Sequence, residues 1–228
     1  MIENPPILTI HRGHRRPDKA TIEAFRCACT SHLVDAMDGR GAVDWRIKPI
    51  DPANARFAGP ALTAHSYPAD IHGMVGAALE AEPGDVIMCA NEHYTGTAVI
   101  GDLAAGMMRN KGIAAFVTDG LARDRAGIVA AGLPVFAMGI SPNSPACTGP
   151  GQVGAPVVLG GVQVCSGDIV VGDADGVVVV PLARADAVLA RLRTVQAAEK
   201  TAEEAVKAGA TSFAAWHEIR RHARIIEP

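Results

Sequence analysis

GDLAAGMMRNKGIAAFVTDGLARD, running from Gly101 to Asp124, is the stretch on which the reading of this chain turns. After Gly101-Asp102-Leu103 it has helical character, and the apolar run Ile113-Ala-Ala-Phe-Val117 that follows reads as a strand. A glycine-bearing turn at Asp119-Gly120 then leads to the adjacent pair Arg123-Asp124. An αβ unit of this kind can bring its two ends together at one edge of a sheet, placing two carboxylates and a guanidinium in one crevice. Carboxylates suit a hard divalent cation, and an arginine fork suits a substrate carboxylate. The competing reading is a surface Arg-Asp pair, with Asp102 doing no more than capping a helix.

Outward from that unit, helix and strand patterns alternate. Asp18 to Asp38 carries an apolar stripe at helical spacing (Ile22, Phe25, Cys29, Leu33, Met37), ended by Gly39 and Gly41. Gly59 to Ser66 reads as a strand, and Pro68-Ala69-Asp70 turns into a helix reaching Ala81. Pro83-Gly84-Asp85 feeds the strand Val86 to Ala90, the next helix is expected over Thr97 to Lys111, and Pro134 to Met138 gives a further short strand. Ser141 to Pro156, holding several prolines and glycines, is expected to be a loop. Beyond it come short runs at Pro156–Leu159, Val162–Cys165, Asp168–Val171 and Val177–Val180, separated by glycines and closed by Pro181, which read as closely spaced β-ribbons. A long helix over Leu182 to Lys207 and a short one over Phe213 to Arg224 follow. The class is α/β, with a β-rich second half and a C-terminal helical arm over about 182–224, and residues 1–228 read as a single domain.

Composition narrows the possibilities. The chain has 228 residues, 49% hydrophobic and 20% charged, enough to bury a substantial core. A net charge of −3 supplies no basic footprint for nucleic acid, and 4% aromatic residues leave little for stacking on bases. No apolar run approaches a membrane span, and the start, with Pro5-Pro6 and Arg12, lacks a secretion-signal layout. The five cysteines (27, 29, 89, 147 and 165) are odd in number and lack zinc-ribbon spacing. Read as reduced thiols in apolar surroundings, they point to the cytoplasm.

Several smaller motifs have structural readings. Gly149-Pro-Gly-Gln-Val-Gly154 matches G-x-G-x-x-G literally, but Pro150 interrupts it and a strand rather than a helix follows, so a loop is expected. Asp173-Ala-Asp-Gly176 resembles the start of a calcium loop without its later glutamate and reads as a β-turn with surface aspartates. Cys27 and Cys29, two apart on a helix, would face different directions as small buried hydrophobes. His32 and His65 read as structural. Asn91-Glu-His-Tyr94 follows a strand, where loops of open α/β sheets gather around ligands, and is either a pocket wall or a solvated loop.

Gly101-Asp102-Leu103 with Arg123-Asp124, the preceding Pro83-Gly84-Asp85-Val86 and the tail Gly167-Asp-Ile-Val-Val-Gly-Asp-Ala-Asp-Gly-Val-Val-Val-Val-Pro181 together resemble the regulator of ribonuclease activity A superfamily. Within it the chain looks like the 4-hydroxy-4-methyl-2-oxoglutarate / 4-carboxy-4-hydroxy-2-oxoadipate aldolase branch. The resemblance covers about residues 20 to 210. It implies a swivelling β/β/α fold, trimers or hexamers with active sites between subunits, and a metal-dependent pyruvate aldolase that also decarboxylates oxaloacetate, in aromatic-compound catabolism. It further implies that Asp124 is the protein ligand to Mg²⁺ or Mn²⁺, with water in most other positions, and that Arg123 clamps the pyruvyl carboxylate. The amides of Gly101, Asp102, Leu103 and Ala104 would cradle that carboxylate or the enolate, and Asp102 would hold a metal-bound water acting as proton donor. Asp35 matches a position where aldolases carry glutamate, and Glu199 resembles an acidic residue reaching a neighbouring subunit's site. Ile71-His72 beside Asp70, and Arg125-Ala-Gly-Ile128, depart from the pattern and leave the substrate's far end undefined.

The residues suit such chemistry on their own terms. Cleaving a bond beta to a ketone leaves an enolate, whose charge a divalent Lewis acid can meet. A Schiff-base route needs a desolvated lysine, and Lys111, Lys200 and Lys207 stand in polar contexts. The alternative from another class is a non-catalytic ribonuclease E regulator acting by protein binding.

Overall fold

The described part of the protein, residues 5–226 of a computed structural model, runs in its first half through β1 (Leu8–Ile10), α1 (Lys19–Arg26), α2 (Thr30–Ala36), β2 (Lys48–Pro49), β3 (Phe57–Ser66), α3 (His72–Glu80), β4 (Val86–Ala90), β5 (Ala98–Ile100), α4 (Asp102–Asn110), β6 (Ala115–Thr118), β7 (Leu121–Ala122), α5 (Arg125–Ala131) and β8 (Val135–Ala137). The second half adds β9 (Gly151–Val153), β10 (Val157–Leu159), β11 (Val162–Val164), β12 (Ile169–Asp173) and β13 (Gly176–Val180). The helices α6 (Ala185–Lys207) and α7 (Ala214–Arg221) follow.

Strand β3 organises the frame because its two halves pair differently. Its second half runs parallel to β4, from Ala61 opposite Val86 to His65 opposite Ala90, and β4, β6 and β8 continue the parallel sheet. Its first half runs antiparallel to β12, from Phe57 opposite Gly172 to Pro60 opposite Ile169, and β12 pairs with β13 as a hairpin. At one edge β9 lies antiparallel to Ala64–Ser66 with β1 beyond it, and at the other β2 lies antiparallel to β8.

Side-chain alternation sorts the strand residues into three apolar layers. Ile87, Cys89 and Phe116 face α3, α4 and α5, meeting Met74, Ala77, Ala105, Met108 and Ile128. Val86, Met88 and Val117 face the other way, toward Val170, Val177 and Val179 of the hairpin. The hairpin's opposite face, Ile169, Val171, Val178 and Val180, meets Phe25, Leu33, Met37, Val188 and Leu192 of α1, α2 and α6. Each fully buried side chain of this size contributes on the order of 1.5–3 kcal/mol. The result is the swivelling β/β/α arrangement with a C-terminal helical arm. No helix of the described residues is long and apolar enough to cross a membrane.

Several elements depart from the sequence expectation. The helix expected over 18–38 is two helices. Asp18 caps α1 by accepting from Thr21 N (2.7 Å), and α2 is started afresh by Asp173, which accepts from Thr30 N (2.9 Å) and Thr30 Oγ1 (2.8 Å). Asp173 is thus a buried tether between the hairpin turn and α2, not a surface aspartate. The helix expected from Thr97 begins only at Asp102, and residues 98–100 form β5. Helix α5 and the short strands β1, β2 and β7 were not anticipated, and the expected loop of 141–156 contains β9. There the glycines of Gly149–Gly154 serve the chain's own start: a side chain at Gly149 or Gly154 would strike the carbonyl of Ile7 or His11. Cys89 alone of the thiols is fully buried, and burial pushes it up to about 12, whereas Cys27 and Cys147 are exposed. On α6, Val188 and Leu192 are buried and Leu189 and Val195 packed within the chain itself, so of the apolar stripe only Val206 stands exposed, at 54%.

Candidate active site

The two-stranded parallel pair β5–β7 assembles the crevice. Ala98 lies opposite Leu121 and Ile100 opposite Ala122, and Arg123 N donates to Ile100 O at 2.9 Å. The chain leaves both strands at the same edge, so Gly101-Asp102 and Arg123-Asp124 arrive side by side. Gly101 is the N-cap of α4 and lacks the atom that would keep them apart. A Cβ there would sit 2.7 Å from Asp124 Oδ2 and 3.1 Å from Arg123 Nε.

Asp124 caps α5 in the left-handed region (φ 57°, ψ 45°), a conformation that aspartate tolerates better than most non-glycine residues. Its Oδ2 is 3.2 Å from Arg123 Nε, and Arg123 Nη1 donates to Ser144 Oγ at 2.5 Å. Both side chains are partly open to solvent. Asp102 stands in the first turn of α4, where its Oδ1 accepts from Leu103 N at 2.7 Å. Its carboxylate lies against Gly127 of α5, at a place that a Cβ on Gly127 would contest at 2.5 Å. Helix geometry leaves the amides of Asp102 and Ala104 without intrahelical acceptors, pointing the positive end of α4 into the crevice.

Strain gathers at this end of the sheet. Among the described residues, four of the five non-glycine residues with positive φ, namely Ala69, Glu92, His93 and Asp124, follow the carboxyl ends of β3, β4 and β7. Such conformations collect at functional sites, where surrounding structure holds them. The 91–94 loop is fastened by Asp119, a buried carboxylate that accepts from Asn91 N at 2.6 Å. Burial raises the Asp119 carboxyl above its ordinary value, outweighing the hydrogen bonds that favour its charge. Glu92 in turn meets His65 Nε2 at 3.0 Å. In the sequence Asp119 was legible only as half of an Asp-Gly turn, and Ser144 carried no signal.

Gly101 and Asp102 are therefore brought beside Arg123 and Asp124, with Leu103 and Ala104 following in the first turn of α4. Asp35 and Glu199 stand elsewhere, on α2 and on the outer half of α6, which belong to the helical layer across the molecule from α4 and α5. Both are exposed, and neither side chain makes a hydrogen bond or ion pair among the described residues. Lys111 donates to the carbonyls of Ala78 (2.9 Å) and Leu79 (2.6 Å) at the end of α3.

The donor set bears on the metal. Among the described residues no three His, Cys, Asp or Glu side chains converge as a ligand cluster. Asp124 and Asp102 offer oxygen donors only, the set suited to a hard cation that keeps most of its water. A tetrahedral zinc site would need more protein ligands. The residues present fit Mg²⁺ or Mn²⁺.

On a swivelling β/β/α frame, a guanidinium and two carboxylates meet at a helix start. Residues 30–179 match the RraA-like family, described as Aldolase/RraA, and the chain belongs to it. A relative from Halalkalibacterium halodurans, provisionally named a 4-hydroxy-4-methyl-2-oxoglutarate aldolase, is 35% identical over 88% of this chain and 95% of its own. Among solved structures, an uncharacterized protein of Pseudomonas syringae is similar with a TM-score of 0.77 and 28% identity, covering 87% of this chain and 97% of that one. RraAS2 of Streptomyces coelicolor, described as an unusual member of the RNase ES inhibitor RraA protein family, has a TM-score of 0.74 and 25% identity over 83% of this chain and 99% of its own.

Proposed function

We propose that the protein is a divalent-metal-dependent pyruvate aldolase. It cleaves a 4-hydroxy-2-oxo acid such as 4-hydroxy-4-methyl-2-oxoglutarate or 4-carboxy-4-hydroxy-2-oxoadipate, and decarboxylates oxaloacetate at the same site. The observation that carries the reading is the closure of Arg123 and Asp124 onto the glycine start of α4. The name of the Halalkalibacterium relative supports the aldolase assignment.

In this reading Asp124 is the protein ligand to Mg²⁺ or Mn²⁺, and when bound the cation supplies Lewis-acid charge at the carbonyl of the 2-oxo acid. Arg123 grips the substrate carboxylate through charge-assisted hydrogen bonds. The open amides of α4 face the same carboxylate and the enolate oxygen, where a helix start favours negative charge. In retro-aldol cleavage the 4-hydroxyl passes its proton to water held by Asp102, the electron pair of the breaking C3–C4 bond goes to the pyruvate enolate, and C4 becomes the carbonyl of the second product. Asp102 holds a water at the crevice edge that returns a proton to C3, giving pyruvate. In oxaloacetate C4 is itself the departing carboxylate, so breaking C3–C4 releases CO₂ and leaves the same enolate, and the same residues serve. Asp35 and Glu199, remote from their own crevice, act in that of a neighbouring subunit within a homotrimer or hexamer.

The test is pyruvate release from oxaloacetate by the parent and by Asp124→Ala, with and without EDTA. Turnover that needs Mg²⁺ or Mn²⁺, is abolished by EDTA and is absent from a folded Asp124→Ala variant is the expected result. EDTA-resistant turnover, or full activity in Asp124→Ala, overturns it. The likeness to RraAS2 favours a second reading, ribonuclease regulation through protein contact. A parent without any metal-dependent lyase activity that inhibits a ribonuclease E would establish that one instead.

A further inference from the structure

Loop 140–149 is fastened at both ends. At its start Ser141 N donates to Ala122 O (2.9 Å), Ala98 N donates to Asn143 O (3.0 Å), and Asn143 Nδ2 donates to Gly96 O (2.9 Å). At its end Ala146 N donates to Ala69 O (2.7 Å), while the buried carboxylate of Asp70 accepts from Thr148 N (2.7 Å) and Gly149 N (3.0 Å). Between these anchors Pro142 and Pro145 restrict the backbone on either side of Asn143-Ser144.

What this mount presents is a single hydroxyl. Ser144 Oγ accepts from Arg123 Nη1, and Asp124 Oδ2 stands 3.2 Å from Nε. Of the three guanidinium nitrogens Nη1 is hydrogen-bonded and Nε lies in ion-pair range of Asp124, and Nη2 has no protein partner among the described residues. A long side chain held at two points loses its rotamer freedom before a ligand arrives, which lowers the ordering cost of binding. Asp124 alone, adjacent in sequence and itself partly exposed, contacts one nitrogen and cannot fix the plane of the fork. The contact from Ser144 fixes it.

We infer that Ser144 is the positioning residue of Arg123, setting the guanidinium plane so that its remaining donors meet the substrate carboxylate. The inference rests on the reading of Arg123 as the carboxylate clamp. Ser144 acts through Arg123 and not on the reacting carbons, so its loss falls on binding in ground and transition states alike, raising KM and leaving kcat.

Full-length parent, Ser144→Ala and Ser144→Thr are compared by steady-state oxaloacetate decarboxylation with saturating Mn²⁺, and by calorimetric titration with pyruvate and, separately, with Mn²⁺. Ser144→Ala should raise KM and weaken pyruvate binding by about tenfold, the lower end of what a lost hydrogen bond to a charged group costs. Its kcat and Mn²⁺ affinity should stay within about twofold of the parent, and Ser144→Thr, which keeps the hydroxyl, should restore KM to about the same margin. An unchanged KM in Ser144→Ala overturns the inference. So does a joint fall of kcat, Mn²⁺ affinity and melting temperature, which marks a merely structural loop, and so does failure of threonine to rescue. A parent that neither decarboxylates oxaloacetate nor binds pyruvate overturns the clamp reading itself, an outcome distinct from these because the parent and not the variant then fails.

Discussion

Replacing Gly101 with alanine should separate the chemistry of the crevice from the stability of the fold. Gly101 is extended (φ −127°, ψ −176°), so alanine meets no backbone barrier there. Glycine outranks alanine at an N-cap by up to about 1 kcal/mol. The narrower unfolded ensemble of alanine returns about 0.4–1 kcal/mol, so the two nearly cancel. The new methyl, however, would lie 2.7 Å from Asp124 Oδ2 and 3.1 Å from Arg123 Nε. To recover an ordinary contact of about 3.5 Å the carboxylate must retreat by roughly 0.8 Å and the guanidinium by roughly 0.4 Å. Both are side-chain ends open to solvent and can give way without unfolding anything. Displacement on this scale of the groups that hold a reacting substrate costs on the order of 10²-fold in rate. Melting temperature should move by no more than about 2–4 °C, the shift that 1 kcal/mol produces in a chain of this size. Oxaloacetate decarboxylation with saturating Mn²⁺, read beside a thermal melt, tests both halves. A Gly101→Ala protein within about threefold of parental kcat/KM would refute the argument that the glycine is there for the site. A melt lowered by 10 °C or more, against the roughly 2–4 °C expected, would show that its role is structural.

Three further outcomes are expected. Arg123→Lys should lower kcat/KM for oxaloacetate by at least about tenfold, because a point charge replaces a planar fork and a charge-assisted bond is worth about 1.5–3 kcal/mol; a change of twofold or less counts against the clamp. Asp70 is held below its ordinary pKa: burial, its largest single influence, pulls upward, but bonds from the amides of His72, Thr148 and Gly149 prevail. A depressed carboxyl stabilises the fold above its unfolded pKa and loses that contribution as pH falls through its folded pKa. Asp70→Asn should therefore cost about 1–3 kcal/mol at pH 7, with the gap to the parent closing on acidification below pH 4 in urea melts, and a gap that widens there would contradict the assignment. Finally, mixing inactive Asp124→Ala with inactive Glu199→Ala subunits should restore part of the activity if α6 carries Glu199 into a neighbour's crevice; no recovery after verified subunit exchange, or a fully active monomer, removes the shared site.

Runs long enough to show a period were legible in the chain alone. Val86–Ala90, Ile113–Thr118 and the valine ribbons of 168–180 stand out as continuous apolar runs, and Val86–Ala90, Ala115–Thr118, Ile169–Asp173 and Gly176–Val180 are strand in the structure. The helix expected over 182–207, which begins at Ala185 after a 3-10 turn, was equally plain, and so was the constellation of Asp102 with Arg123-Asp124, since charged residues beside turn signals stand out against an apolar background. Folding decided what fell below one period or depended on remote partners. Strands β5 and β7 have three and two residues, too few to alternate, yet their pairing closes the crevice. The break between α1 and α2 depends on a carboxylate 143 positions away. Ser144, in a stretch that reads only as loop, meets Arg123 because hydrogen bonds at both ends of that loop hold it there. Periodicity is a local property that a single chain displays. Caps, two-residue ladders and the orientation of a guanidinium exist only between segments, and no local pattern records them.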